Sequence, residues 1–170
     1  MHIERRQLMK KQAISAQFLD LLNEALAREL QVSVQYMLQH AIGAGQAVAG
    51  TVQPSSDKQV KFVASHSLYF LPGATLKKIA ITEMRHAEAI SERIVLLGGE
   101  PTTQPSKITV DKTIKAMLEN DQEQERSAIE LYKTIITNAE KKNDDQTAGL
   151  FRTILKDEEK HHQTFSALLG

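Results

Sequence analysis

Two stretches of this chain, Glu83-Met84-Arg85-His86 and Glu158-Glu159-Lys160-His161, share the pattern Glu-x-x-His. Residues three apart lie on one side of an α-helix, so each stretch can offer a carboxylate and an imidazole to one ion. Two further carboxylates, Glu29 and Glu125, stand in separate helical stretches, and each is followed seven residues later by a tyrosine, Tyr36 and Tyr132. One Glu from each of two helices, with Glu-x-x-His from each of two others, is the ligand set of a dinuclear iron or manganese site inside a helix bundle. Oxygen-rich donors with one imidazole per ion favour iron or manganese, and zinc can also occupy such a set. Four carboxylates in an apolar interior must be paired or coordinated, and two divalent ions would neutralise them.

Periodicity supplies the elements that must position these groups. Helices are expected over about residues 15–40, 74–97, 110–142 and 145–169. The first carries Phe18, Leu22, Ala25, Glu29, Val32 and Tyr36 at helical spacing, with Ser15 as N-cap. The second carries Leu76, Ile79, Glu83, His86, Ile90 and Ile94, and Gly98-Gly99 and Pro101 stop it. In the third, Ile114, Met117, Asp121, Glu125, Ala128, Tyr132 and Ile135 share a face. In the fourth, Phe151, Ile154, Leu155, Glu158, His161 and Phe165 do so, and the short turn at Asn143 to Asp145 makes the last two helices antiparallel. Residues 43–57, rich in Gly, Ala, Ser and Gln, read as loop, and residues 58–71 fit a short helix or irregular structure equally. All four acids sit near mid-helix. The order Glu, Tyr at plus seven, Glu-x-x-His occurs once in each half, a weak repeat that suits two helical hairpins about a pseudo-twofold. The expectation is an all-α four-helix bundle, one domain over residues 1–170.

The fourth helix offers a second register through Glu159 and His162, but that face is polar, with Arg152, Lys156 and Ser166 close by. Glu158 and His161 follow apolar residues and take the inward role. A ligating imidazole needs a partner for its other N–H, and Asp121 and Asp157 are the candidates. Tyr36 and Tyr132 are candidates to hydrogen-bond bridging carboxylates or to supply an electron, against the alternative of core tyrosines satisfied elsewhere. His2, His40 and His66 assemble no partner set.

Composition narrows the function classes. The 170 residues suit one domain with a sizeable core. Lys plus Arg and Asp plus Glu both number 21, so no global charge draws the chain to nucleic acid or an anionic membrane. Without cysteine there are no disulfides, thiolate metal sites or rubredoxin-type iron centre. No apolar run approaches a membrane span. The basic stretch of residues 1–12 is not followed by a continuous apolar run, so no secretory signal and a cytoplasmic location are expected.

Leu21-Leu22-Asn23, Arg28-Glu29-Leu30, Glu83-Met84-Arg85-His86-Ala87, Glu92-Arg93-Ile94 and Ile154-Leu155-Lys156-Asp157-Glu158-Glu159 resemble the ferritin-like superfamily, and the bacterioferritins most closely, over about residues 21–168. The resemblance implies a ferroxidase site on Glu29, Glu83, His86, Glu125, Glu158 and His161. It implies an up-down-down-up bundle with a long crossover between the second and third helices, where residues 98–110 alone would also fit an ordinary hairpin. The implied function is a di-iron protein that oxidises Fe(II) with dioxygen or peroxide, in iron homeostasis and protection from oxidative stress, as a homodimer or larger homo-oligomer. The alternatives are a rubrerythrin-like peroxide reductase fed by an external electron donor, a dimanganese catalase, and a non-catalytic iron-binding or storage subunit. Three features depart from the family. A long inserted connection spans about residues 43–72; the chain ends at Gly170, where ferritins and bacterioferritins add a short fifth helix lining a cage axis; and Thr82 stands where bacterioferritins tend to have an acid. The missing fifth helix argues against a 24-subunit storage cage. Met84 matches the family's haem-ligating methionine at a subunit twofold, so haem is a further cofactor the resemblance allows, with interface packing as the alternative role.

Overall fold

Apolar side chains three and four apart give each helix one face to bury, and packing those faces together builds a bundle. The computed structural model describes residues 15–50 and 75–170, with side chains described for 15–42 and 75–170. Its helices are α1 (Ala16–Gly50), α2 (Thr75–Leu96), α3 (Ile114–Lys141) and α4 (Asp145–Leu169), and no strand occurs among the described residues.

Local chemistry sets most of the boundaries. Ser15 Oγ accepts from the Phe18 amide at 3.3 Å, Thr113 Oγ1 from Ala116 at 3.2 Å and Asp144 Oδ1 from Thr147 at 3.1 Å, so each caps an N-terminus whose amides lack helical partners. α2 closes on glycine in the left-handed region. Gly98 has φ +81°, its amide bonds Val95 at 2.9 Å, and the Gly99 amide bonds Ile94 at 2.9 Å. α3 closes the same way on Asn143, at φ 55°. Two boundaries depart from expectation. α1 continues to Gly50 where composition predicts a loop from Gly43, because Ala41, Ala44, Ala47 and Ala49 offset the helix cost of the glycines, about 1 kcal/mol each. The third helix starts at Ile114 rather than near Val110, because Thr113 takes an extended cap conformation. Most of the expected insertion, including residues 58–71, lies outside the described residues.

Side-chain pairings give the topology. Tyr36 meets Glu125 and Tyr132 meets Glu29, so α1 and α3 are antiparallel. On α2, Arg93 reaches Asp144, Gln146 and Thr147 at the start of α4, while His86 faces Asp157, so these two are antiparallel as well. Leu19, near the start of α1, packs on Gly99, just past the end of α2. The order is therefore up, down, down, up. Residues 97–113 climb back along α1. Thr102 bonds Asn23 Oδ1 at 2.8 Å, the Ser106 amide bonds the Ala27 carbonyl at 2.8 Å, and the Thr109 amide bonds Gln35 Oε1 at 3.0 Å. This is the long crossover, and it excludes the hairpin.

The interior is stacked in three levels. One apolar cluster holds Phe18, Leu22, Leu26, Ile90, Ile94, Ile135, Phe151 and Ile154; the other holds Val32, Leu76, Ile79, Met117, Leu118 and Phe165. Each such buried side chain contributes roughly 1.5–3 kcal/mol. Between the clusters, on every helix, lies a polar level. Glu29 separates Leu26 from Val32, Glu83 and His86 separate Ala80 from Ala87, Glu125 separates Leu118 from Ala128, and Glu158 and His161 separate Ile154 from Phe165. Apolar packing above and below fixes that level.

Candidate metal centre

All four glutamates of the polar level are fully buried, and His86 and His161 keep only 7% and 9% exposure. Glu83 and His86 meet within one turn of α2, as the Glu-x-x-His spacing requires, and His86 Nδ1 stands 2.9 Å from Glu83 Oε2. The same nitrogen lies 3.0 Å from Glu158 Oε1 and 3.7 Å from Glu29 Oε2, so one imidazole faces carboxylates from three helices. His161 Nδ1 lies 2.8 Å from Glu83 Oε1 and 4.0 Å from Glu158 Oε2.

Two groups of ligand atoms result, each within 4.8 Å of one another: Glu29, Glu83, His86 and Glu158, and Glu83, Glu125, Glu158 and His161. Glu83 and Glu158 belong to both groups, and each turns one oxygen toward each imidazole. Glu29 and Glu125 belong to one group each. The arrangement suits two ions with two shared carboxylates, one terminal carboxylate apiece and one imidazole apiece.

The donor atoms themselves test the fit. Glu29 Oε2, Glu83 Oε1, Glu125 Oε2, both oxygens of Glu158 and His161 Nδ1 are buried without a hydrogen-bond partner. His161 Nδ1 and Glu83 Oε1 are close, but not aligned as a hydrogen bond. Leaving a buried polar atom unsatisfied costs about 1–3 kcal/mol, and more if charged. Six together are tolerable only if something else binds them, and oxygen and imidazole lone pairs converging at this spacing call for cations.

Electrostatics agree. Burial pushes Glu29 up to about 7, reinforced by Glu83 and opposed by His86 and Arg28. Burial also raises Glu83, Glu125 and Glu158, each further raised by a neighbouring carboxylate. Burial disfavours charge on His86, but contacts with Glu158, Glu29 and Glu83 hold its pKa up at about 12. Carboxylates that repel one another and an imidazole drawn toward positive charge both mark a shortage of cations.

The neighbours behave as follows. Tyr132 donates its hydroxyl to Glu29 and Tyr36 donates to Glu125. The tyrosines therefore hold the two single-group glutamates, so contact with a shared carboxylate, one of the roles the sequence allows them, is not formed. Asp121 is fully buried, and its bonding partners are the Gln35 and Gln39 side-chain amides, at 3.0 and 2.9 Å, not an imidazole. Asp157 is the carboxylate beside an imidazole, with Oδ2 3.6 Å from His86 Nε2. Glu159 is exposed, and His40 joins neither group of ligand atoms. His2 and His66 lie outside the described residues. Met84 is 48% exposed and faces away from the cluster, into an apolar groove of about 380 Å³ between α1 and α2, lined by Val34, Met37, Leu38 and Ile81. A second groove, of about 780 Å³ between α2 and α4, reaches His86 and His161 past Lys78, Thr82, Arg85 and Lys160.

Sequence reasoning missed Arg28. Its guanidinium is buried 3.4 Å from Glu29 Oε1, 3.6 Å from Glu125 Oε2 and 3.8 Å from Glu158 Oε2. The available signal was its spacing, three residues after the core position Ala25. Gln35 and Gln39 were missed too, although Gln31, Gln35 and Gln39 form a stripe at intervals of four.

Comparison with known proteins agrees with this geometry. Residues 73–170 match the family model described as a ferritin-like domain. The chain is 35% identical over 147 residues to a bacterioferritin of Desulfovibrio desulfuricans, covering 86% of this chain and 70% of that one. It is 41% identical over 80 residues to a bacterioferritin of Mycobacterium avium, a match spanning 46% of this chain and 50% of that one. The solved Desulfovibrio desulfuricans bacterioferritin, with its diiron site in different catalytic states, superposes with a TM-score of 0.72 at 32% identity, over 91% of this chain and 78% of that one. Mycobacterium tuberculosis bacterioferritin BfrA superposes with a TM-score of 0.73 at 26% identity, over 92% and 86%. On the match to the family model and the 35% identity across most of its length, the chain belongs to the ferritin-like family, among relatives that are bacterioferritins.

Proposed function

We propose that this protein binds two iron ions through Glu29, Glu83, His86, Glu125, Glu158 and His161 and oxidises Fe(II) with dioxygen or peroxide. The observation that supports this reading most directly is the convergence of buried donor atoms without partners, from all four helices, in two groups that share Glu83 and Glu158. A bound iron pair would supply the two electrons that reduce the oxidant. The protein's own part is to hold geometry and exclude water. The two apolar clusters close the level from above and below, and Tyr36 and Tyr132 fix the single-group carboxylates. The groove between α2 and α4 would admit iron and oxidant to the imidazole edge.

Anaerobic loading with Fe(II), followed by dioxygen or peroxide, tests the proposal. Two Fe(II) per chain should bind and oxidise rapidly, and Glu125→Ala should abolish the rapid phase while leaving helix content close to wild type. Rapid oxidation undiminished in that variant rejects the site. The two oxidants also separate a ferroxidase from a peroxide reductase, since the latter would react much faster with peroxide. Metal analysis of protein purified without chelators distinguishes iron from manganese or zinc.

A homo-oligomer is the second element of the proposal. Val34, Met37, Leu38, Ile81 and Met84 together expose an apolar patch on one face of α1 and α2, a surface that a second copy would cover. Met84 would offer a thioether to haem from the same patch, and the apolar lining fits the face of a porphyrin. Mass in solution decides the assembly and whether it is large enough to store mineral. A haem absorption band lost in Met84→Leu would establish the haem.

A further inference from the structure

A second set of buried polar side chains lies between α1, α3 and the crossover. Gln35, Gln39 and Asp121 are fully buried, and none belongs to either group of ligand atoms in the metal centre. Gln35 is satisfied. Its Oε1 accepts from Gln31 Nε2 at 3.2 Å and from the Thr109 amide at 3.0 Å, and its Nε2 donates to Asp121 Oδ1 at 3.0 Å. Gln39 Nε2 donates to the same Oδ1 at 2.9 Å.

Two oxygens are left over. Asp121 Oδ2 and Gln39 Oε1 are both buried without a hydrogen-bond partner. Turning the Gln39 amide over gives no relief, because it would set Oε1 against Oδ1, acceptor against acceptor. Asn120, the preceding residue on α3, has an unpartnered Nδ2 donor, but it bonds neither oxygen. Both leftover atoms are acceptors, on side chains already joined to each other, so they call for a common positive partner. Two neutral amides do not neutralise a buried carboxylate. Among the described residues, the charged side chain that acts on Asp121 is another acid, Asp111 of the crossover, which adds to the negative potential there.

We propose that Asp121 Oδ2 and Gln39 Oε1 bind a calcium ion between α1 and α3, at a site separate from the four-glutamate centre. Carboxylate and amide oxygens are the donors calcium takes, and neither is the imidazole or thiolate that the softer metals prefer. Two acids about one spot favour a divalent ion over sodium, and magnesium gives up its water shell too reluctantly to suit a fully buried carboxylate. The ion would tie α1 to α3, and Gln35 extends the same cluster to the crossover at Thr109. The inference does not depend on how the four-glutamate centre is read.

Thermal unfolding of chelator-stripped protein tests it, at about pH 8, where Asp121 is mostly ionised. Calcium chloride should raise the melting temperature of wild type by at least about 2 °C over sodium chloride of equal ionic strength. Asp121→Asn, equal in size and still able to accept from both glutamines, should show no such gain. The four glutamates are the same in both proteins, so calcium bound among them would raise both alike. Diffraction gives a second measurement on wild type alone, which does not depend on how the variant folds. Crystals grown with calcium should show an anomalous scattering peak within about 3 Å of both oxygens. A melting temperature indifferent to calcium, a gain kept in full by Asp121→Asn, or calcium peaks confined to the four-glutamate centre overturns the proposal. The first of these would mean that a water molecule or a proton on Oδ2 serves the two oxygens instead.

Discussion

The hydroxyl of Tyr36 on α1 donates to Glu125 on α3. Tyr132 on α3 returns the donation to Glu29 on α1. Seven residues are two helical turns, so on antiparallel neighbours each helix sets its tyrosine opposite the other's glutamate. Burial first, then Glu125 and Asp121, push Tyr36 well above its ordinary pKa, so the phenol keeps its proton and remains a donor. Partners behind a metal ligand commonly change affinity about 10–100-fold when removed. Tyr36→Phe should weaken the ion held by Glu125, and Tyr132→Phe the ion held by Glu29, each by about tenfold with unchanged helix content. Stepwise metal titration reads both, and wild-type affinity in either variant contradicts the role assigned to that hydroxyl.

Why the six candidate ligands could be read from sequence, and Arg28 could not, has a physical reason. A glutamate at a core position of an amphipathic helix defies the cost of burying charge, and apolar packing alone does not select it four times on four helices. That argument needs only local periodicity. Arg28 sits one position off the stripe, and what tolerates it there comes from elsewhere: the Gln124 carbonyl and Glu125 from α3, and Glu158 from α4. The crossover was ambiguous for the same reason. Residues 98–110 contain nothing that chooses a direction, and the choice is made by contacts to Asn23, Ala27 and Gln35. Which glutamates are shared depends on how deeply each chain reaches, a property of packing that spacing alone does not carry.

Metal removal should cost stability. Without cations the centre holds four buried carboxylates whose charge Arg28 and His86 only partly offset. Glu83→Gln should therefore stabilise the metal-free protein, by roughly 1–3 kcal/mol, since one of four crowded buried carboxylates is replaced by a neutral amide that keeps an oxygen for His86 and can donate to His161 Nδ1. The same variant should lose the rise in melting temperature that metal gives wild type through binding to the native state alone. Thermal unfolding with and without chelator measures both. A variant less stable than wild type in chelator contradicts this account of the empty centre.

Gly98 and Asn143 occupy equivalent positions, each ending a helix in the left-handed region, at φ +81° and 55°. A Cβ at Gly98 would meet nothing within 4 Å, so any cost of substitution there is conformational. Gly98→Ala should destabilise by about 1–2 kcal/mol, and Gly98→Asn by less, because asparagine tolerates this region. Asn143→Gly should be close to neutral. Urea unfolding ranks the three, and alanine matching asparagine at position 98 would mean that the backbone there is not held left-handed.

Asp121 predicts a pH dependence separate from the metal ligands. Burial pushes its carboxyl up to about 7, opposed by the hydrogen bonds from Gln39 and Gln35 and reinforced by Asp111. The folded state thus holds the proton more tightly than the unfolded chain, whose aspartate titrates near 3.9. The associated stability is fully present below that lower value and is lost as pH rises through about 7. Asp121→Asn keeps an oxygen to accept from both glutamines and cannot ionise. The variant should flatten the decline in stability between about pH 4 and 7, an effect on the order of a few kcal/mol for a fully buried carboxyl. Comparing metal-free Asp121→Asn with metal-free wild type across that range isolates the contribution, because the glutamates are common to both. Parallel stability curves would mean that Asp121 is already ionised in the folded protein and that its two amide donors compensate its burial in full.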